Sequence, residues 1–564
     1  MPVSVGSSTY LIPGVYAITK VVNEAGSSLP AFNVGVMIGK QTKGIPYSAA
    51  VNDPNDFKGG DIMQPFSNTA DLEKAQGAEA EGCELSTAMQ YAKAVGAGTV
   101  FSMGVRPYTN LQSAAVPDKD VPANIMTFDS VDFGAHVNDT QIKVAANIHT
   151  VTPPAFTTFL TADAAAVDTV LKVQNAQNYS AGDSVFVTDN STPPIAGTVD
   201  SVDTVGKTIT LKAALGSALT QAKYARLFKV DMTKIVVSAA LVTTVDIQAF
   251  YASNPGGLIL KSVTGPITTV DATYLGSVTQ TPAASPEATG ADWTAIANNF
   301  SQWYQEFALK NGVYLRYILV VSADASVHAT FVSLVNGMKA QNRPLVVVSG
   351  CALGDKDLQA SSANFPLNRS FATNSDRFEM ASFGLDGKDP YKTYASEIFG
   401  THLATQVNHN LTRDPIVAQS VEKAFDKFDP VYSQYTAGGL MSIEITKNGY
   451  IMSQGINTFH NQSVVFDPQT QETYLMRNRN LADFDLMATM EVLDQFPGSD
   501  EVDETTVAAA LKISGDIMRD QYKYISDYVI NSITKAGTNW NVKRTVYLGS
   551  PDDFVVLENT LIAQ

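Results

Sequence analysis

The sequence predicts a multidomain mixed α/β (α+β) protein, with a central mixed α/β sheet domain, an inserted all-β module and an extended strand arm at each end. Three observations carry this. Continuous apolar strands alternate with helical stretches, most clearly between residues 286 and 436, the pattern of a partly parallel sheet with helices on its faces. From about 160 to 230 the chain changes to short alternating strands separated by Gly, Asp, Pro and Asn, as in a small all-β unit. Both termini carry apolar alternation. At 564 residues the chain exceeds one core, and about three or four domains are expected.

In order, residues 1–20 are an extended arm containing SSTYLIPGVYAIT at 7–19. Alternation places Tyr10, Ile12, Tyr16 and Ile18 on one strand face, and Pro13 suits an edge or a bend because it cannot donate to a ladder. Residues 21–155 form the first part of the α/β and β domain: FNVGVMIGK (32–40) is a buried strand, the later half of the stretch from 71 to 98 is a helix, TVFSMGVRP is a strand ending at Arg106-Pro107, and 125–151 reads as strands turning at Gly134 and Asn138. Residues 156–230 are the inserted module, and 231–285 continue the surrounding domain, where IKVAANI and KIVVSAALV belong together. The stretch 279–293 is a Pro, Ala, Thr and Gly-rich linker. The α/β core, 286–436, alternates the helix from Trp293, the strand YLRYILVVS, the helix VHATFVSLVNGMKAQN, the strand PLVVVSG, the strand RFEMASFG and a helix around 391–411. Residues 437–545 turn β-rich, with GGLMSIEITKNGYIMSQGINTF and QETYLMRNRN, and then carry one long helix from 504 to 536, capped by Asp503 or Thr505 and ended by Gly537. Residues 546–564 are the second arm, DDFVVLENTLIAQ, with Phe554 beside a face made of Val555, Leu557 and Leu561.

A net charge of -17 argues against direct nucleic-acid binding and against anionic membranes, which need a basic face. No run of about 18 apolar residues predicts membrane insertion, and the first residues lack a secretory pattern, so the chain is expected to be made in, and to stay in, a cytoplasm unless something larger carries it out. Cys83 and Cys351 are expected as buried thiols without a disulfide framework.

Chemical motifs are weak. GVMIGKQT (35–42) has three residues between its glycines where a phosphate loop needs four. His402 and His409 lie two helical turns apart, too far for one metal, and His136, His149, His328 and His460 are scattered. The carboxylates at 53–61 lack calcium-loop spacing. Ser349 and Cys351 follow a strand, but spacing ties no base to either. The sequon at Asn190 carries no meaning without a secretory signal. No catalytic residue, metal or cofactor is expected. An enzyme on the α/β domain and another self-assembling, surface-layer or adhesin protein are the alternatives.

A catalytically silent body with a strand at each end can add those strands to neighbouring sheet edges. The sequence resembles the contractile tail sheath proteins of phages and related injection systems. The resemblance lies in Pro13, Gly14, Val15 and Tyr16 within LIPGVYAIT, in GAGTVFSMGVRP (96–107), in FGAHVNDTQIKV (133–144), in RFEMASFG with its helix, and in GINTFHN (455–461) before the terminal helix. It departs where AITKVVNEAG stands in place of an acidic run after PGVY. What it implies is a structural subunit stacked in hexameric rings around an inner tail tube, with baseplate and tail terminator proteins as further partners. The site would be a virion tail assembled in a host cytoplasm, and the module an outward decoration. The implied inter-subunit contacts are Tyr10, Ile12, Pro13, Gly14, Val15, Tyr16, Ile18, Phe554, Val555, Leu557 and Leu561. Residues 6–8 and 543–551 are the expected hinges.

Overall fold

The computed structural model describes residues 33–562 except 42–62, 106–112, 118–123, 131–140, 231–235, 265–274, 278–289, 460–474, 495–502, 549–555 and scattered shorter gaps, together with the strands Val3–Val5 and Ser8–Tyr10. Its centre is a six-stranded sheet. In chain order the elements are β1 (Gly35–Lys40), β2 (Gln64–Phe66), α1 (Thr69–Gln76), α2 (Glu84–Ala94), β3 (Val100–Val105), α3 (Gly290–Asn311), β4 (Tyr317–Val321), α4 (Ala325–Ala340), β5 (Val346–Gly350), α5 (Pro366–Thr373), β6 (Phe378–Ala381) and α6 (Tyr394–Ala404). The sheet order is β6-β5-β4-β1-β3-β2. All pairings are parallel except that of β2 with β3. Runs such as YILVV and VVVSG are buried along their whole length, as strands covered on both faces must be.

The covering helices follow from the pleat. Gly35 and Gly39 share one face of β1, where an added Cβ would meet Phe399 of α6 and Leu85 of α2 respectively. α6 crosses α2 so closely that a Cβ on Gly400 would lie 2.6 Å from the Ala92 carbonyl oxygen. On the opposite face Phe101 of β3 meets Phe307 of α3 edge-on at 4.6 Å, and Trp293 joins α3 to Phe331 of α4 at 6.1 Å. α1 is an additional helix beyond the one expected between 71 and 98, started by Asn68, whose side chain accepts from Asp71 N. Of the expected linker 279–293, residues from Gly290 already lie in α3 and 279–289 lie outside the described residues.

The intervening stretch is β-rich. Strands 113–117, 124–130 and 258–263 form one sheet, and 141–145, 148–152, 236–237 and 275–277 another, which brings IKVAANI and KIVVSAALV together. Between them, six strands from Pro154 to Val230 pair antiparallel. The ends of this sheet meet: Leu160 bridges Val173, with Thr161 N donating to Lys172 O at 2.9 Å and Gln174 N to Phe159 O at 2.9 Å. The result is a small closed barrel, which leaves no open edge, filled by Leu171, Val185, Val187, Val199, Ile209 and Leu227. The expected turns at Gly134 and Asn138 lie outside the described residues.

The C-terminal part corrects the sequence reading twice. QETYLMRNRN is not a strand from Met476 onward: α7 spans Met476–Asp494. The long helix stops early. Asp503 caps it as expected, accepting from Thr506 N, but α8 covers only Glu504–Asp516, followed by a π-helical turn Ile517–Gln521. Residues after Lys523, whose φ is +56°, form β7 (Ile525–Ala536), which pairs with β8 (Asn539–Leu548) across residues 537–538. Gly537, expected to end the helix, lies outside the described residues. The reason for strand in place of helix is local: Ile525, Val529, Ile530, Ile533 and Thr534 are β-branched, and a Gly-X pair between two such runs selects a hairpin. The stretch expected as a hinge from 543 is strand up to Leu548, and it is the middle strand of the sheet β7-β8-β9, with β9 at Val556–Ile562.

Candidate subunit-linking sheet

The sheet β7-β8-β9 holds the second arm. Leu557 and Leu561 pair with Val546 and Val542 of the same chain, while Phe554 and Val555 lie outside the described residues. At the other terminus Tyr10 pairs with Val3 in a small hairpin, and Ile12, Pro13, Gly14, Val15, Tyr16 and Ile18 lie outside the described residues. The two arms are not brought together among the described residues.

Helix α7 ties the sheet to the body through two ion pairs, and Ile525 of β7 and Val546 of β8 also lie in the central core cluster. Residues 483 and 485 are about 200° apart around a helix axis, so the carboxylates of Asp483 and Asp485 on α7 face opposite ways. Asp483 faces the central sheet. It accepts from Arg377 through Nη1 at 2.6 Å and Nη2 at 2.7 Å, and lies 2.6 Å from Arg316 Nη2, which also donates to Asn480 Oδ1 at 3.0 Å. These arginines immediately precede β6 and β4, so α7 grips the start of two parallel strands. Arg479 adds a pair with Asp376 at 2.6 Å. Burial alone would raise the Asp483 carboxyl; the charges of Arg316, Arg377 and Arg479 outweigh it and hold the group well below the usual carboxylate range.

Asp485 faces the hairpin and accepts from Arg544 Nη2 of β8 at 2.6 Å. The other nitrogen, Nη1, donates to Leu511 O at 3.2 Å and Ser514 Oγ at 3.3 Å of α8, and the guanidinium lies 4.9 Å from the Tyr528 ring centre. Arg544 is 1% exposed, so this is a core pair and not a surface one. Val507, Leu511, Val542, Ile530 and Ile533 complete the packing. Tyr528 donates to Asp516 Oδ1 at 2.8 Å, and its ring rests where Gly515 has no side chain. The sheet is thereby tied to α7 and α8, and among the described residues no further strand pairs with the outer sides of β7 and β9.

Sequence reading missed Asp483, Asp485, Arg544 and Tyr528. The available signal was the helical spacing of Leu481, Phe484 and Ala488, all buried on α7.

Of the residues considered for chemistry, Cys83, His328, Ser349, Cys351 and His402 are buried, and His409 is half-buried. His328 Nε2 lies 2.8 Å from Ser322 O and 3.0 Å from Ser349 Oγ. A carbonyl only accepts, so the pattern assigns the proton to Nε2, and that nitrogen has no lone pair with which to activate Ser349. Burial lowers the His328 pKa to about 4. Burial also pushes the Cys351 thiol up to about 12, far from a nucleophilic thiolate; Cys83 is a buried free thiol too. His402 Nε2 pairs with Glu379 at 2.8 Å and its ring stacks 4.6 Å from Tyr317, whereas His409 pairs with Asp414 at 2.5 Å. Among the described residues no group of His, Cys, Asp and Glu can hold a metal ion, and no helix is long and apolar enough to cross a membrane. His136, His460, Asn190 and the carboxylates at 53–61 lie outside the described residues. The parallel strands reverse order between β1 and β4, the place where doubly wound sheets open a ligand crevice. Gln41, just beyond β1 and 2% exposed, folds against Gly104 of β3, on the side of β1 away from β4.

No protein-family model matches the chain, and no curated protein matches it. Solved structures do. The sheath tail protein of Desulfitobacterium hafniense is 12% identical, with 95% of this chain and 98% of that chain covered and a TM-score of 0.53. The sheath tail protein of Listeria innocua is 11% identical over 97% and 99% of the two chains, at a TM-score of 0.44. The contracted helical sheath of the anti-feeding prophage is 10% identical over 56% and 81%, at 0.33. The first of these likenesses shows that the chain has the sheath-protein fold, the multidomain mixed α/β architecture implied by the sequence resemblance.

Proposed function

We propose that the chain is the sheath subunit of a contractile tail or a related injection apparatus, a structural and non-enzymatic role. Copies stack as six-fold rings around an inner tube, bound at the ends by baseplate and terminator proteins, in a tail assembled within a host cytoplasm. Contraction is a rigid-body rearrangement of subunits that stay tied through their terminal strands. The observation that carries the reading is the fold shared with a sheath tail protein along 95% of the chain. The C-terminal sheet supports it in kind, because the outer sides of β7 and β9, with which no further strand pairs among the described residues, can accept strands by main-chain hydrogen bonding. Residues 10–18 of one copy and 554–561 of another are the proposed guests, and the barrel at 154–230 faces outward as decoration.

The magnitude suits a tether. β9 forms seven residue pairs with β8; about seven hydrogen bonds at a net 0.5–1.5 kcal/mol each contribute about 3–10 kcal/mol, before apolar burial. A heterologous contact that does not close on itself builds a filament. Negative-stain electron microscopy of the concentrated full chain tests the reading: hollow tubes with six-fold end-on views are expected, and a chain that stays monomeric with and without an inner tube overturns it.

A further inference from the structure

We infer that Arg544 and Asp485 are positioning residues for assembly: their buried ion pair sets the angle at which the subunit holds its C-terminal sheet against the body, and through that angle the twist of the polymer. The inference rests on the sheath reading and adds to it the side chains that fix the geometry. Most of the joint is aliphatic. Val507 and Leu511 of α8 pack on Val542, with Leu486, Ile530 and Ile533 beside them, and Ile525 and Val546 reach the central core. Apolar contact is non-directional. It holds the sheet on the body without selecting one rotation of the sheet about the contact.

The Arg544 guanidinium does select one. It is planar, with donors held in a fixed fork, and it reaches three elements from β8. Nη2 donates to Asp485 Oδ1 of α7 at 2.6 Å, Nη1 donates to Leu511 O and Ser514 Oγ of α8 at 3.2 and 3.3 Å, and the centre of the group lies 4.9 Å over the Tyr528 ring of β7. Ser514 and Thr489 of α7 share a hydrogen bond of 3.0 Å, which closes the junction. Rotating the sheet would break these contacts together. Asp483, on the opposite side of the same helical turn, is bound by Arg377 and Arg316 at the starts of β6 and β4, so α7 carries the orientation of the central sheet to the C-terminal one. Stability does not demand this chemistry, since apolar side chains often replace a buried ion pair without loss. What they lack is direction. A heterologous contact repeated by every copy turns an angle within one subunit into the rotation between subunits.

The test replaces the pair by apolar side chains, Asp485→Leu with Arg544→Met, and compares urea midpoints with the helical symmetry of tubes seen by electron microscopy. The double variant is expected to keep the wild-type midpoint and to lose the single wild-type twist, giving tubes of altered or mixed twist or none. Arg544→Lys, which keeps the charge without the fork, is expected to lose it too, and carries the test alone should the double variant not fold. Val335→Ala, in the body core on α4, is expected to lower the midpoint and leave the twist unchanged. Tubes of wild-type twist from the double variant or from Arg544→Lys, or an equal change of twist in Val335→Ala, overturn the inference and leave the sheath reading standing; a wild-type chain that makes no tubes removes both.

Discussion

Removing the charge of Asp483 should unseat α7 from the central sheet. Asp483→Asn keeps the shape and one acceptor oxygen, but leaves Arg316 and Arg377, 0% and 3% exposed, without the carboxylate that lies 2.6 Å from each. Breaking a buried ion pair from one side costs about 3–5 kcal/mol, because the remaining charge is left uncompensated. Asp376 stays paired with Arg479 and reaches Arg377 through its charge but is not in its ion pair, so the loss belongs in that range. The assay is urea unfolding followed by tryptophan fluorescence, since Trp293 and Trp303 lie buried in α3 and report the body. Asp485→Asn is the comparator. It removes the carboxylate from Arg544 and should loosen the C-terminal sheet, where Trp540 is the second residue of β8, while the body unfolds as before. Arg377→Met should also cost less in the Asp483→Asn background than in the wild type, since the pair acts as a unit. A loss below about 1 kcal/mol for Asp483→Asn would put the interaction in the range of exposed pairs and refute the argument that this bracket mounts the sheet.

Two further outcomes follow from the same structure. Gly515→Ala should cost about 1–3 kcal/mol by overpacking, because the new Cβ would lie 2.5 Å from the Tyr528 ring, itself held by Asp516; Gly337→Ala, in open space on α4, should stabilise by up to about 1 kcal/mol, and equal urea midpoints for the two would contradict the packing argument. Glu397, 0% exposed on α6, is pushed up to about 8 by burial. A carboxyl raised in the fold contributes stability that is complete below its unfolded pKa of about 4.5 and is lost as pH rises through the folded value, at about 1.4 kcal/mol per pH unit between. Glu397→Gln should flatten the fall in stability between pH 5 and 8, and parallel profiles for variant and wild type would count against it.

The central strands were legible because parallel strands covered on both faces are uninterrupted apolar runs, and α3 and α4 because their apolar residues recur at helical spacing. α7 was hidden for a physical reason. Pattern reading sends charges to solvent, but Asp483 and Asp485 are buried against arginines 106 and 59 residues away in the chain, and no local window contains both partners. The end of the terminal helix was hidden differently. A helical stripe can be drawn through Met518, Tyr522, Ile525 and Val529, yet the β-branched run and the Gly537-Thr538 pair were the stronger signal, and a left-handed Lys523 separates the two regimes. Cis pairing of β9 could not be read from alternation, which gives a strand its face but not its partner.

The central claim is that terminal strands tie the subunits together. The most direct measurement compares the full chain with one lacking residues 1–19 and 552–564, by sedimentation and electron microscopy at matched concentrations. The account predicts tubes from the full chain and folded, unassembled subunits from the trimmed one. Trimmed subunits that build the same tubes would contradict it.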